Sequence, residues 1–156
     1  MHITVIAVSR SLPVWLTTGI KDYVRRLPPG VKPEILEVTP ARRRPGVTSE
    51  KNMADEARRI LSVLPGSARI IILDEGGRRL TTQEWTDQLQ QWQLDNANCA
   101  FIIGGADGLA PAIRDMAHDS LSLSSLTLPH CIARLLLVEQ IYRAWSLLNN
   151  HPYHRE

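Results

Sequence analysis

The stretch Arg69-Ile70-Ile71-Ile72-Leu73-Asp74 decides the fold of this chain. Its apolar residues follow one another without polar alternation, which is typical of a strand covered on both faces, as in a parallel sheet. The run Cys99-Ala100-Phe101-Ile102-Ile103 has the same character. Because the faces of a parallel sheet are covered by helices, we expect helices on both sides of these strands.

Strand-like and helix-like segments alternate along the rest of the chain. Further strands are predicted at Ile3–Val8 and Pro33–Val38, and Ser120–Leu128 is apolar at alternate positions over part of its length. Helices are predicted from apolar spacing, from a capping box and from prolines that favour a first turn. The residues that define them are Pro13 with Trp15, Leu16, Ile20, Tyr23, Val24 and Leu27; Met53, Ala57, Ile60, Leu61 and Leu64; Thr81 and Glu84 with Trp85, Leu89 and Trp92; Pro111; and a last helix from about Ile132 to Leu148.

This alternation predicts an α/β fold with a mostly parallel sheet. The length of 156 residues fits one domain, and no composition change marks a boundary between residues 1 and 156. No apolar run reaches the length of a membrane span, and the first residues lack the pattern of a signal peptide. Cys99 and Cys131 lie in apolar segments, so we expect a cytoplasmic protein without disulfides.

The positive charge is clustered although the formal net charge is only +2. Arginine pairs or triplets occur at residues 25–26, 42–44, 58–59 and 78–79, and the segment Pro40–Gly46 is predicted to be an exposed loop. If the clusters share a face, they favour binding of a polyanion such as RNA. The alternative is that each cluster is simply a solvated loop or helix face.

Three turns at predicted strand ends carry residues suited to ligand binding, because open parallel sheets bind ligands at the carboxyl ends of their strands. In Leu73–Gly77, an acidic pair could hold ribose hydroxyls. In Gly104–Gly108, glycines let the backbone approach a ligand, although the spacing matches neither GxGxxG nor a P-loop. In Leu121–His130, leucines and small hydroxyl residues could enclose a flat ring. Plain turns and an amphipathic strand remain the alternatives.

The predicted last helix has an apolar face that covers about half of its circumference. Such a width suggests two packing partners, the sheet and a second subunit. Arg134 falls in the middle of this face and requires a carboxylate, a carbonyl cluster or a bound phosphate. The opposite face is predicted to be polar and includes Glu139 and Arg143, which can pair at i, i+4; its other members are Gln140, Ser146 and Asn150.

The C-terminal tail Asn149-Asn150-His151-Pro152-Tyr153-His154-Arg155-Glu156 contains groups that can take up a proton, stack on a flat ring and hold an anion. We predict that this tail packs into an active site. The histidines at 130, 151 and 154 raise the question of a metal, but no CxxC or HExxH motif accompanies them. We therefore predict no metal, and a histidine that carries a proton.

The C-terminal part of the chain also carries a family resemblance. The segments Leu126-Thr127-Leu128-Pro129-His130, Tyr142-Arg143-Ala144-Trp145-Ser146 and Asn150–Glu156 are similar to the ribosomal RNA large subunit methyltransferase H family, a minimal group of SPOUT methyltransferases. The resemblance extends over the whole chain and includes Trp15 and Leu73-Asp74. It implies a Rossmann-like sheet whose C-terminal part is threaded into a trefoil knot, and a homodimer in which the knotted regions pack together.

The same resemblance implies a reaction and a cofactor. The family transfers a methyl group from S-adenosylmethionine to N3 of a pseudouridine in 23S ribosomal RNA within the assembled ribosome. Where the family often has proline and glutamate after two glycines, this chain has Ala106 and Asp107. The residues implied to line the S-adenosylmethionine pocket are Leu73, Gly104, Gly105, Leu123, Ser124, Ser125, Leu126, Thr127 and Leu128.

The chemistry requires a proton acceptor, because an imide nitrogen keeps its proton at neutral pH. His154 is the first candidate for this base and His130 the second. Tyr153 could stack on the nucleobase or hold its carbonyl. A phosphate or a developing enolate would be held by arginines, for which the candidates are Arg134, Arg143 and Arg155. In a dimer, the tail of one subunit would complete the pocket of its partner.

Three other functions remain open at the level of sequence. A non-catalytic factor that binds RNA or the ribosome would also use arginine clusters on a compact α/β domain. A nucleotide-binding enzyme would use the glycine turn for phosphate. A SPOUT enzyme with a transfer RNA substrate would share the fold, but this alternative does not explain the sequence of the tail.

Overall fold

The computed structural model describes residues 1–155, except for the side chains of His154 and Arg155. The strands are β1 (Ile3–Val8), β2 (Pro33–Val38), β3 (Arg69–Arg79), β4 (Cys99–Ile103) and β5 (Asp119–Ser122). The helices are α1 (Val14–Arg26), α2 (Ser49–Val63), α3 (Thr82–Leu94), α4 (Pro111–Met116) and α5 (His130–Leu148), followed by a 3-10 helix, Pro152–Arg155. The alternation predicted from the sequence is confirmed.

The five strands form one sheet in the order β2-β1-β4-β3-β5, and every neighbouring pair is parallel. The predicted α/β class with a parallel sheet is therefore confirmed. The carboxyl ends of all five strands lie at the same edge of the sheet, which we call the carboxyl edge. The loops that follow each strand consequently meet at this edge.

Each face of the sheet carries its own hydrophobic core. On one face, Ile71, Phe101 and Ile103 pack with Trp85 of α3 and Leu137 of α5. The other face buries a second core, whose members include Ile6, Ile60, Ile70, Ile102 and Ile113. Successive strand residues therefore serve opposite cores, which explains why β3 and β4 show no polar alternation in sequence.

Helix α5 lies beside both α1 and α3 on one face of the sheet. Its residues Leu137, Val138, Ile141 and Ala144 are fully buried within the chain. The wide apolar face that suggested a second subunit is therefore largely covered by neighbouring helices of the same chain. Its width is accounted for without a partner, so it is not in itself evidence for a dimer.

Strands β3 and β5 pair in an unexpected way. Strand β3 continues to Arg79, five residues beyond its predicted end at Asp74, and β5 ends at Ser122 instead of extending towards Leu128. Leu121 is opposite both Leu73 and Arg78, because β3 has an irregularity between those residues. A Cβ atom on Gly77 would lie 2.6 Å from the Leu121 carbonyl carbon, so only glycine permits this close approach.

The burial of several helical side chains differs from what the apolar patterns predicted. Trp15 and Leu61, both assigned to apolar stripes, are 62% and 43% exposed. Glu56 of α2, which no apolar pattern identifies, is buried and accepts a hydrogen bond from the Ala41 amide at 3.0 Å. The capping box of Thr81 and Glu84 is confirmed. Within residues 1–155, no helix has both the length and the apolar character needed to cross a membrane.

Candidate active site

A cavity of about 410 Å³ opens at the carboxyl edge, beside the irregular part of β3 and the ends of β4 and β5. Its volume lies within the range of small-molecule sites. All three turns that the sequence singled out contribute to its wall, because their strands are neighbours in the sheet. The residues that line it are Leu73, Asp74, Glu75, Ile103, Gly104, Gly105, Ala106, Gly108, Leu109, Leu121, Ser122, Leu123, Ser124, Leu126, Thr127, Leu128, Pro129, His130 and Ala133.

The turn after β4 forms one wall of the cavity, and the glycines of this turn present backbone atoms to it. The Gly108 amide donates a hydrogen bond to the Gly105 carbonyl at 3.0 Å, which closes the turn. A Cβ atom on Gly104 would lie 2.9 Å from the Gly108 carbonyl carbon and 3.0 Å from Cγ of Leu109. Any side chain at Gly104 would therefore displace the turn that lines the cavity.

The irregular part of β3, between Leu73 and Arg78, forms an acidic wall. Asp74 and Glu75 both line the cavity, and Asp74 accepts a hydrogen bond from Nη2 of Arg114 at 2.8 Å. This hydrogen bond holds the pKa of the Asp74 carboxyl below its ordinary value, so the group is a carboxylate acceptor at neutral pH. Arg114 is itself fixed by a bond from its Nε to the Leu109 carbonyl at 3.2 Å.

The segment between β5 and α5 is an irregular loop with leucines on the cavity side. The Ser122 hydroxyl donates to the Ser124 carbonyl at 2.7 Å, and the Leu126 amide donates to the Ser124 hydroxyl at 2.9 Å. Leu126 is 73% exposed although it lines the cavity, so it offers apolar surface to a ligand. Of the residues predicted to bind the cofactor, Ser125 is the one outside the lining.

The candidate catalytic residues fall into separate places. His130, the first residue of α5, is exposed and lines the cavity. Arg134, one turn further along α5, is 1% exposed and donates to Oε1 of Glu37 at 2.7 Å and to the Ser9 hydroxyl. Glu37 thus supplies the carboxylate that the sequence position of Arg134 requires. The Arg134 Nε atom has no hydrogen-bond partner among the described residues.

Tyr153 lies in a cluster against the middle of α5. Its hydroxyl donates to Oε1 of Glu139 at 3.0 Å and is 2.9 Å from the Tyr23 hydroxyl. Burial, the bond to Tyr23 and the Glu139 carboxylate raise the pKa of Tyr153, so the phenol keeps its proton. Arg143 pairs with Glu139, as predicted, and its guanidinium lies 5.0 Å from the Tyr153 ring centroid.

The tail therefore packs on part of the α5 face that was predicted to be polar. The His151 amide donates to the Ser146 carbonyl at 2.8 Å, and Ser146 is fully buried. Part of the predicted polar face is thus an internal contact surface, although Asn150 is exposed. Tyr153 contacts Glu139, which follows His130 by nine residues in α5, so the two positions are roughly 14 Å apart along the helix axis, and Tyr153 does not line the cavity.

The tail hydroxyl offers a direct test of this packing. We expect Tyr153→Phe to lower the free energy of unfolding by about 1 kcal/mol and the Tm by about 3 °C, because Glu139 loses a part-buried donor. Urea and thermal unfolding measure both. Tyr23→Phe is the matched control, since it removes the bond between the two tyrosines but leaves Tyr153 bonded to Glu139. An equal loss in both variants would contradict the anchoring role of Glu139.

The two remaining tail candidates lie outside the described side chains. His154 and Arg155 belong by their backbone to the 3-10 helix, and their predicted roles as base and anion ligand remain predictions. In the described part of the chain, no group of three or more His, Cys, Asp or Glu residues could hold a metal ion.

Sequence patterns missed the ion pairs around the cavity. Arg114 pairs with Asp74, and Arg43 pairs with Asp107 at 2.7 Å, across 40 and 64 residues of chain. Asp107 is one of the two residues, with Ala106, at which the chain departs from the family pattern, and its carboxylate pairs with Arg43. Leu109 also escaped notice, although an apolar residue directly after a glycine turn is a usable signal for a pocket wall.

Comparisons with known proteins agree with this geometry. The family model described as "Predicted SPOUT methyltransferase" matches residues 1–154. Ribosomal RNA large subunit methyltransferase H from Burkholderia mallei (strain ATCC 23344) is 47% identical over 155 residues, which cover 99% of each chain. The protein of the same name from Burkholderia pseudomallei (strain K96243) matches to the same extent. The chain belongs to the SPOUT methyltransferases and, among them, to the ribosomal RNA large subunit methyltransferase H family.

Proposed function

We propose that this protein methylates large-subunit ribosomal RNA at N3 of a pseudouridine, using S-adenosylmethionine bound at the carboxyl edge. The observation that carries the proposal is the cavity itself, which brings together the irregular part of β3, the turn after β4 and the loop before α5. The family uses S-adenosylmethionine, and the relatives named above are ribosomal RNA methyltransferases. A pseudouridine target and an assembled ribosome as substrate are the more specific parts of the proposal.

The residues of the cavity fit the cofactor. Leu126 and the other leucines of the loop would enclose the adenine ring, and Asp74 or Glu75 would accept hydrogen bonds from ribose hydroxyls. The glycine turn would let backbone groups approach the ligand closely. When bound, S-adenosylmethionine supplies an activated methyl group, so the protein does not have to create the electrophile.

The remaining task of the protein is to orient the nucleobase and remove its proton. We assign the role of proton acceptor to His154, and His130 at the cavity wall is the alternative acceptor. Tyr153, Arg143 and Arg155 would hold the nucleobase carbonyls or the charge that develops on them. For Arg134, whose charge is already paired with Glu37, we propose that it fixes the start of α5 and thereby His130.

We further propose that the tail acts on the cavity of a partner subunit in a homodimer. Within one chain, Tyr153 contacts Glu139, roughly 14 Å along α5 from His130, and does not line the cavity. Val14 and Trp15 at the start of α1 are 81% and 62% exposed, which favours a covering partner there. A dimer would bring one subunit's tail to the other's cavity.

The trefoil knot implied by the family is also a proposal. Strand β5 enters the sheet at its edge against β3, and the following segment returns to the cavity before α5 crosses the sheet. The close approach of Gly77 to Leu121 is compatible with one segment threaded tightly past another. We treat residues 1–156 as one such domain, with a cytoplasmic location expected for a ribosomal substrate.

Mixed dimers test whether the tail works in the partner's cavity. Gly104→Val, which blocks the cavity, and His154→Ala, which removes the proposed base, should each be inactive alone. Random exchange makes half of the dimers mixed, and each of these would have one complete site. We expect about a quarter of wild-type methyl transfer after exchange. No recovery in exchanged dimers would mean that the tail acts within its own chain.

Radiolabelled methyl transfer tests the proposed function as a whole. Intact ribosomes, separated subunits and naked ribosomal RNA are each supplied with and without the pseudouridine. We expect label only in large-subunit RNA that carries pseudouridine, and most of it in intact ribosomes. Calorimetry with S-adenosylmethionine provides the second measurement. A protein that bound ribosomes but gave neither label nor heat would be a binding factor, and the proposal would fail.

A further inference from the structure

The loop after β2 carries the densest positive charge in the chain. We call residues 40–46, which include Arg42, Arg43 and Arg44, the arginine loop. All three arginines are exposed. Arg43 pairs with Asp107, whereas Arg42 and Arg44 have no ion pair with any residue that the structure describes. Two cations of this loop are therefore available to an external anion.

The arginine loop lies at the same edge of the sheet as the cavity. Strand β2 is separated from β4 by β1 alone, so its carboxyl end is two strand spacings, about 10 Å, from that of β4. Arg10 follows β1 at this edge, is exposed, and forms no ion pair within residues 1–155. The unpaired cations thus follow β1 and β2 at the edge of the sheet that holds the cavity.

Hydrogen bonds to α2 and to the glycine turn hold the arginine loop in place. Its Ala41 amide donates to the buried Glu56 carboxylate at 3.0 Å. Arg59 of α2 donates to the Thr39 carbonyl at 2.6 Å and to the Pro40 carbonyl at 3.0 Å. At the other side, Arg43 donates to Asp107 at 2.7 Å, and Asp107 belongs to the glycine turn that walls the cavity.

We propose that the arginine loop binds the sugar-phosphate backbone of the RNA beside the target nucleotide, and that Asp107 is the positioning residue that holds the loop against the cavity wall. The proposal rests on the proposed function, because it takes the target nucleobase to enter the cavity at this edge. Guanidinium groups bind phosphates with paired hydrogen bonds, and a fixed loop loses little conformational freedom on binding. Arg42 and Arg44 would bind the phosphates.

The first experiment compares two double variants. Arg42→Ala with Arg44→Ala removes two unpaired charges at the carboxyl edge. Lys32→Ala with Arg69→Ala is the matched control, because these exposed residues lie at the opposite ends of β2 and β3 and form no ion pair among the described residues. Filter binding to intact large subunits and to naked large-subunit RNA is measured between low and high salt. S-adenosylmethionine affinity is measured by calorimetry.

We expect the arginine-loop variant to bind both RNA forms about tenfold more weakly, with a salt slope smaller by roughly one to two. S-adenosylmethionine affinity should stay within about twofold of wild type. Equal weakening in the Lys32 and Arg69 control would overturn the proposal, since net charge alone would explain it. Weakening with intact subunits but not with naked RNA would also overturn it, because the loop would then contact a ribosomal protein.

The second experiment uses Asp107→Asn, which breaks the ion pair with Arg43 while it raises the net positive charge. If Asp107 positions the loop, kcat/KM for large subunits should fall by roughly three- to tenfold although binding to naked RNA stays equal or becomes tighter. A kcat/KM that rises together with RNA affinity would overturn the positioning role.

These measurements separate the two proposals. Binding is measured without turnover, so the loop is tested even if no methyl transfer is found. Methyl transfer with unchanged RNA binding in the Arg42 and Arg44 variant would overturn the loop alone. A wild-type protein that neither labels nor binds large-subunit RNA would overturn both.

Discussion

Replacement of His154 by alanine is expected to lower turnover by roughly two to four powers of ten. The nucleophile is an imide nitrogen that still holds its proton at neutral pH, so methyl transfer requires a group that accepts this proton. The 3-10 helix that includes the backbone of residue 154 is anchored to α5 through Tyr153 and Glu139. Single-turnover methyl transfer on intact ribosomes measures the effect.

Two controls separate a base from a structural residue. His2→Ala removes an exposed histidine that contacts Glu34 at the opposite edge of the sheet, and its turnover should match wild type. Added imidazole should partly restore His154→Ala, because a small base can enter the space that the side chain leaves. Full turnover without imidazole, in a variant with unchanged Tm, would remove His154 from this role and leave His130 as the candidate.

The cavity could be predicted from the sequence because its signals are local. The uninterrupted apolar runs of β3 and β4 identify a parallel sheet, and a parallel sheet places the turns after its strands at one edge. Leu73, Gly104 and Leu126 could therefore be brought together without coordinates. The order of the strands could not be read in this way, but any order with β3, β4 and β5 adjacent gives the same site.

The charged contacts could not be predicted because they join distant parts of the chain. Arg134 reaches Glu37 across 97 residues, and Arg43 reaches Asp107 across 64. No periodicity links such positions, so the sequence indicates only that a buried arginine needs an anion. The tail shows a related limit: its composition indicates a functional surface, but which surface it covers depends on the packing of Tyr153 against Tyr23 and Tyr142.

Replacement of Gly104 by valine is expected to weaken S-adenosylmethionine binding at least hundredfold, about 2.7 kcal/mol. A Cβ atom there would meet the Gly108 carbonyl carbon at 2.9 Å and Cγ of Leu109 at 3.0 Å, and both belong to the cavity wall. Backbone cannot move aside as a flexible side chain does, so the whole turn must shift. Overpacking of this kind costs roughly 1–3 kcal/mol. The two methyl groups of valine would in addition occupy space that the ligand needs.

Calorimetry with S-adenosylmethionine measures the loss, and thermal unfolding shows whether the domain remains folded. Gly66→Val is the matched control, because nothing lies within 4 Å of a Cβ atom at Gly66, and its cofactor affinity should stay within about twofold of wild type. If Gly104→Val does not fold, Leu126→Ala provides the same test at an exposed residue of the cavity and should weaken binding roughly tenfold. Unchanged affinity in both cavity variants would mean that the cofactor binds elsewhere, and the site at the carboxyl edge would have to be abandoned.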